Sequence, residues 1–118
     1  MDRMFRFEKL QIWERACDVG SELCDLADDL DKKRFFRFAE QLRAAALSIS
    51  NNIAEGSGSD SPAEFRSFLN YSRRSLFECA SMVSFYHRKG HITAERRTTL
   101  LNDLDELSRM IHSFRSSL

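Results

Sequence analysis

One proline and four glycines in 118 residues leave the chain few places to turn. That scarcity excludes an all-β fold, whose many short strands need a turn signal at each reversal. No run approaches the ~20 uninterrupted apolar residues of a membrane-spanning helix. The opening MDRMFRFEKLQIWERACD lacks the long apolar core of a signal peptide. Three cysteines, an odd number without metal-type spacing, point to reduced thiols and a cytoplasmic protein. Net charge is missing too, 18 Lys and Arg standing against 18 Asp and Glu. Taken alone, that balance argues against a phosphate-rich partner. What remains, 42% hydrophobic and 31% charged, is the composition of a folded globular chain. Residues 1–118 read as a single domain, large enough to bury roughly 60–70% of its unfolded surface without disulfides or metals.

The apolar residues recur at helical spacing almost throughout. Near the start, Leu10, Trp13, Cys17, Cys24 and Ala27 form one stripe, with Ile12, Ala16, Val19, Leu23, Leu26 and Leu30 beside it. Phe35, Phe38, Leu42, Ala46, Ile49 and Ile53 mark a second helix, which the tract Gly56-Ser57-Gly58-Ser59-Asp60 is expected to end as a loop. Ser61-Pro62-Ala63-Glu64 is a helix-start signal: Ser61 caps, Pro62 loses no needed N–H, and Glu64 can close a capping box. The third helix carries Phe65, Phe68, Leu69, Ser72, Leu76, Cys79, Val83 and Tyr86, and Gly90 stops it. Thr93 caps a fourth helix with Leu100, Leu101, Leu104, Leu107, Ile111, Phe114 and Leu118. Short connections between helices of ~20–27 residues predict an all-α, antiparallel up-down-up-down four-helix bundle. The doubled stripe of the first helix predicts self-association, because a monomer would leave one stripe in water.

No catalytic constellation appears, and no cofactor is expected. His87 and His91 stand four apart, but Gly90 interrupts the helix between them. His112 is remote and no HExxH or ExxH pattern occurs, so no metal site is expected. Cys17 and Cys24 lie seven apart on an apolar stripe and read as buried structural thiols. The Gly56–Ser59 tract is followed by no Gly-Lys-Ser/Thr and is not a phosphate cradle. No nucleophile has a plausible base, so an enzyme is not expected. More informative is a polar strip of Gln41, Ser48, Asn52 and Glu55, with Ser75 and Glu78 as counterparts on the third helix. Such residues are either a solvated helix edge or a hydrogen-bond network at a helix or subunit seam. Buried members would have to be paired, and pairing fixes register and partner.

Gln41-Leu42-Arg43-Ala44-Ala45 and Ser48-Ile49-Ser50-Asn51-Asn52-Ile53-Ala54-Glu55-Gly56 resemble the signature of the four-helix proteins encoded in 23S rRNA intervening sequences. Glu64-Phe65, Phe68-Leu69, Ser75-Leu76 with Glu78, and Phe7, Leu10 and Trp13 extend the resemblance along essentially the whole chain. That family is similar to the accessory variability determinant of diversity-generating retroelements. The resemblance implies a cyclic homo-oligomer, a pentamer of bundles. For the retroelement relatives it implies binding of nucleic acid and of a reverse transcriptase. Three places depart from the pattern. Arg74 replaces a frequent glycine, Asp31–Arg34 lacks the Pro and Gly that commonly shape the first turn, and Ser59-Asp60 stands where a basic residue is frequent.

Charge balance looks different once the chain is divided. Residues 1–31 hold nine acids and four bases, whereas 32–118 hold fourteen bases and nine acids. In an antiparallel path, Lys32, Lys33, Arg34 and Arg37 share an end with Arg88, Lys89, Arg96 and Arg97, against Asp28, Asp29, Asp31 and Glu95. Arg88 and Lys89 suit a helix C-terminus, but Arg37, Arg96 and Arg97 at helix N-termini oppose the dipole. The expectation is a non-enzymatic, oligomeric accessory scaffold whose basic end contacts an RNA or DNA backbone with little sequence specificity. No aromatic-basic recognition motif is read beside these cations. The alternative is a protein–protein interaction scaffold that contacts no nucleic acid.

Overall fold

The computed structural model describes residues 4–118. A 3-10 turn at Arg6–Lys9 leads into four helices: α1 (Gln11–Lys32), α2 (Phe36–Ser57), α3 (Pro62–Arg88) and α4 (Ala94–Ser116). Among the described residues there is no strand, and no helix is long and apolar enough to cross a membrane.

The helix ends follow from local chemistry. Ser61 Oγ accepts from the Glu64 amide at 3.1 Å, with Pro62 at the first helical position, and Thr93 Oγ1 does the same for Arg96 at 3.1 Å. α2 continues one residue beyond Gly56, so the loop is shorter than the glycine and serine content suggests. Its last turn stays helical because Gly56 and Ser57 are buried and Ser57 Oγ donates to the Ala54 carbonyl. Gly56 is where α3 comes closest. A methyl group placed there would lie 2.7 Å from both Phe65 Cδ1 and Phe68 Cβ.

The turns after α1 and α3 share one geometry. Phe35 N–H donates to the Leu30 carbonyl and His91 N–H to the Tyr86 carbonyl, each spanning five residues across a left-handed residue. After α3 that residue is Gly90, at φ 81°; after α1 it is Arg34, at φ 66°. An L side chain there costs roughly 1 kcal/mol or somewhat more. Part of any gain on removing it is offset by the freer unfolded chain that glycine brings. Arg34→Gly is therefore expected to raise stability by about 0.5–1 kcal/mol, read as a higher urea midpoint with an unchanged slope.

The core is built from the expected stripes. Ile12, Ala16, Val19, Leu23, Leu26 and Leu30 of α1 meet Leu42, Ala46, Ile49 and Ile53 of α2. Leu69, Leu76 and Val83 of α3 and Leu104, Leu107 and Ile111 of α4 complete it. α2 packs most closely with α1 and α3, whereas α4 makes less contact with its neighbours, and least with α1. Two polar bonds tie α2 to α3 inside this packing. Ser72 Oγ donates to the Ile49 carbonyl at 2.8 Å, and Tyr86 Oη to the Phe38 carbonyl at 3.2 Å.

The second stripe of α1 is less exposed than the doubled pattern suggests. Ala27 is buried, and Leu10 and Trp13 pack against the core. Cys17 is exposed and Cys24 half-buried, so neither is the fully buried thiol expected; Cys79 is the buried one. Burial pushes the Cys79 thiol up to about 12, which keeps it protonated and unreactive.

Candidate nucleic-acid interface

The α1–α2 and α3–α4 turns meet at one end of the molecule. Lys33 Nζ donates to the His91 carbonyl at 2.8 Å, and the His91 ring stacks on Phe35 with centroids 4.1 Å apart. Phe35 also contacts Phe38, which packs on Phe85 and Tyr86, so an aromatic layer floors this end. That layer fixes both turns and with them the eight cations expected there.

The eight are not equivalent. Arg96 reaches Asp29 at 2.7 Å, and Lys32 approaches the same carboxylate at 3.7 Å. The hydrogen bond from Arg96 holds the Asp29 carboxyl below its usual range, against the opposing effect of burial. Lys33 is tethered to a backbone carbonyl. Arg34, Arg37, Arg88, Lys89 and Arg97 have no carboxylate at ion-pair distance among the described residues.

Two contributors are added by the structure. Arg43 forks onto Asp28 at 2.5 Å and Asp31 at 2.6 Å, and those hydrogen bonds raise the affinity of its guanidinium for its proton. Two of the four acids counted against the cluster are thus already partnered from outside it. The i, i+12 and i, i+15 separations hide this pairing from any local reading. Phe36 lies between Arg34 and Arg37 in sequence and is 57% exposed, so a bare aromatic accompanies the cations without forming a recognition motif. The local sequence Arg34-Phe35-Phe36-Arg37 carried that signal. α2 begins here with no side-chain cap and no acid in its first turn.

The polar strip divides in two. Ser48 Oγ and Ser75 Oγ are 2.8 Å apart, and Asn52 Nδ2 donates to the Ser48 carbonyl at 2.8 Å and to Ser48 Oγ at 3.0 Å. With Glu78 these three line a groove of about 370 Å³ between α2 and α3 that also takes in Tyr71 and Arg74. Gln41 lies in a neighbouring hollow shared with Glu78 and Phe85, and Glu55 is exposed; neither joins the network. The strip is therefore a three-residue seam with solvated ends.

A charged cluster that the sequence did not single out bridges α1 and α4. Arg15 pairs with Asp103 at 3.1 Å and Glu106 at 3.0 Å. Beside them Glu22 has one buried oxygen without a hydrogen-bond donor. A proton shared with Asp103, then burial, pushes the Glu22 carboxyl up to about 6. An acid whose pKa rises on folding makes the native state bind more protons, so stability falls as pH climbs through 6. Glu22→Gln is expected to raise stability at pH 7.5 by on the order of 1 kcal/mol after solvent screening, read as a higher melting temperature. It should also flatten the change between pH 7.5 and 5.5, followed by circular dichroism. No group of His, Cys, Asp and Glu among the described residues is arranged to hold a metal ion.

Residues 8–113 match the model of the 23S rRNA-intervening sequence protein family. The chain belongs to that family. In this member of the family, the run from Ser48 to Gly56 that carries the sequence resemblance has a structural meaning. It supplies the Ser48–Asn52 half of the α2–α3 seam and, at Gly56, the closest approach of α3. Among solved structures the chain is similar to a protein of unknown function from the S23 ribosomal protein family of Bacteroides thetaiotaomicron. The TM-score is 0.84 at 22% identity, over 88% of this chain and 97% of that one. That likeness carries the four-helix fold. Curated proteins give no significant match.

Proposed function

We propose that this family member is a non-enzymatic accessory scaffold that holds an RNA or DNA backbone at its basic end. The observation that carries the reading is the set of five cations, Arg34, Arg37, Arg88, Lys89 and Arg97, without carboxylate partners among the described residues, at the end of the molecule where Phe36 is exposed. Cations already neutralised within a protein release few counterions from nucleic acid, whereas unpaired ones exchange directly for condensed salt. The strained backbone at Arg34 fits the same reading, since glycine would serve the turn better and the side chain supplies charge. Phe36 offers a stacking face that tolerates any base, which suits low sequence specificity.

In this proposal the helices form an antiparallel up-down-up-down bundle, and copies assemble into a ring, five by resemblance to the family. Leu47, Tyr71 and Phe85 are exposed on α2 and α3 beside the Ser48–Asn52–Ser75 seam, and their burial between subunits would gather basic ends on one side of a ring. A cytoplasmic location and a reverse transcriptase or ribosomal RNA context belong to the same proposal. The exposed apolar residues also support a second reading, a scaffold for another protein.

The test is a salt titration of binding to a mixed-sequence RNA by the full chain. The expected plot of log K against log salt is linear, with a slope of about −3 to −4 for five unpaired cations on a single strand. A slope near zero, or nuclease-resistant co-purification with one protein and no RNA affinity, refutes the nucleic-acid reading and favours the second.

A further inference from the structure

His91 lies in the turn between α3 and α4, at the end of the molecule where the unpaired cations gather. Its ring stacks on Phe35, with centroids 4.1 Å apart and planes 29° from parallel, and stands 6.3 Å from the Phe38 ring. The backbone is pinned on both sides. Its amide donates to the Tyr86 carbonyl at 2.9 Å, and its carbonyl accepts from Lys33 Nζ at 2.8 Å. The ring edge is open. Neither imidazole nitrogen has a hydrogen bond or an ion pair among the described residues, and neither is buried away from water. One face on an aromatic floor and one edge toward solvent make a fixed donor surface. His87, one turn earlier, has no such placement, since its ring meets no other ring among the described residues.

Cations dominate the charged groups on the elements that meet here. α3 ends in His87, Arg88 and the capping Lys89, and α4 begins with Glu95, Arg96 and Arg97. α1 ends with Asp28, Asp29, Asp31 and Lys32, followed by Lys33, Arg34 and, on α2, Arg37. Arg96 engages Asp29, and Arg43 engages Asp28 and Asp31. Glu95 is exposed and makes no ion pair with either histidine among the described residues. A positive charge on His91 is therefore left for an outside anion to neutralise.

We propose that His91 is a further phosphate contact of the basic end, made only by its imidazolium form, so that nucleic acid is held more tightly as pH falls. The inference rests on the reading of that end as a nucleic-acid interface. A neutral imidazole donates from one nitrogen, whereas an imidazolium donates from both and carries charge, and this change belongs to the range between pH 5 and 8. The Phe35 face suits either form, because a cation over an aromatic face is attracted to it. Proton and strand then strengthen each other's binding by the same factor.

The probe is a twelve-nucleotide uridine strand, whose phosphodiesters and bases keep their charge between pH 5.5 and 7.5. Salt titrations with the full-length protein are run at both values. The parent should bind about 3- to 5-fold more tightly at pH 5.5, with a slope steeper by about 0.7, the share of one added phosphate contact on a single strand. Calorimetry in buffers of different ionisation enthalpy should register proton uptake on binding. His91→Phe keeps the stack on Phe35 and should lose most of the pH effect and of the proton uptake, with binding at pH 7.5 within about 2-fold of the parent. His91→Arg makes the charge permanent and should bind at pH 7.5 about as tightly as the parent does at pH 5.5. Glu22→Gln removes the carboxyl that titrates near 6 in the α1–α4 cluster and should leave the pH effect on binding intact. A pH effect that survives in His91→Phe, or that His87→Gln abolishes instead, overturns the assignment. A steep salt slope that is equal at both pH values refutes the proton-controlled contact and leaves the basic end standing. A slope near zero at both values, in the parent and in His91→Arg alike, refutes the two together.

Discussion

Gly56→Ala is expected to destabilise the protein by about 2 kcal/mol, while the same substitution at Gly20 stabilises it by about 0.5–1 kcal/mol. Both glycines are inside helices, where alanine is the better residue by roughly 1 kcal/mol. Gly20 can collect that gain, because the nearest foreign atom to a new methyl is the Ala46 carbonyl oxygen at an ordinary 3.9 Å. At Gly56 the methyl would meet Phe65 Cδ1 and Phe68 Cβ at 2.7 Å. A ring atom can swing away, but Phe68 Cβ is attached to the α3 backbone, so the first turns of α3 must shift. They are anchored by the Ser61 cap and by Phe65, which is buried and packs on Phe114 at 5.5 Å. Overpacking of this kind costs typically 1–3 kcal/mol and occasionally more, which exceeds the propensity gain. Thermal melts followed by circular dichroism should place the Gly56 variant about 8 °C below the parent and the Gly20 variant about 3 °C above it. Equal shifts for the two would mean that α3 does not approach α2 through Gly56.

The helices were legible because their signals are local. Caps at Ser61 and Thr93, the stop at Gly90 and the three-to-four spacing of apolar residues each act within one or two turns of chain. Gly56 misled for a related reason. A glycine beside serines reads as a loop when only neighbours in sequence are weighed, yet its lack of a side chain serves a contact with residues nine and twelve positions away. Arg34 misled in the opposite sense, since nothing local announces that an arginine takes the left-handed position that Gly90 takes in the matching turn. The surface was least legible. Which cations are free depends on pairs such as Arg96 with Asp29, separated by 67 positions, and Arg43 with Asp28. Cys17 and Cys24 fell on an apolar stripe, but they share the α1 edge that carries Asp28 and Asp31, the outer side of the contact with α2, where Cys17 stays exposed and Cys24 half-buried. The α1–α4 carboxylate cluster was invisible for the same reason, its members coming from opposite ends of the sequence.

Those pairings decide how the basic end should respond to substitution. Arg37→Ala with Arg88→Ala is expected to weaken RNA binding by about 10- to 30-fold at 0.15 M salt and to reduce the salt slope by about 1.4 on a single strand. Each unpaired cation that neutralises one phosphate contributes about 0.7 to the slope, and two contacts are lost. Lys32→Ala with Arg96→Ala removes the same formal charge, yet it should change affinity by about 3-fold or less and the slope by well under 1. Asp29 bonds Arg96 and lies near Lys32, so its one negative charge already offsets one of the two positive charges and less salt is released from this pair than from two free cations. The second pair carries its own signature. Without Arg96 the Asp29 carboxyl should return toward its ordinary range, visible as an upward-shifted titration of its side-chain carbon resonance. A phosphate-binding role for all eight cations alike would make the two double variants equivalent in slope. A role for bulk charge alone would make them equivalent in affinity as well. Only a cluster sorted into free and internally paired cations separates them, and it does so in a stated direction.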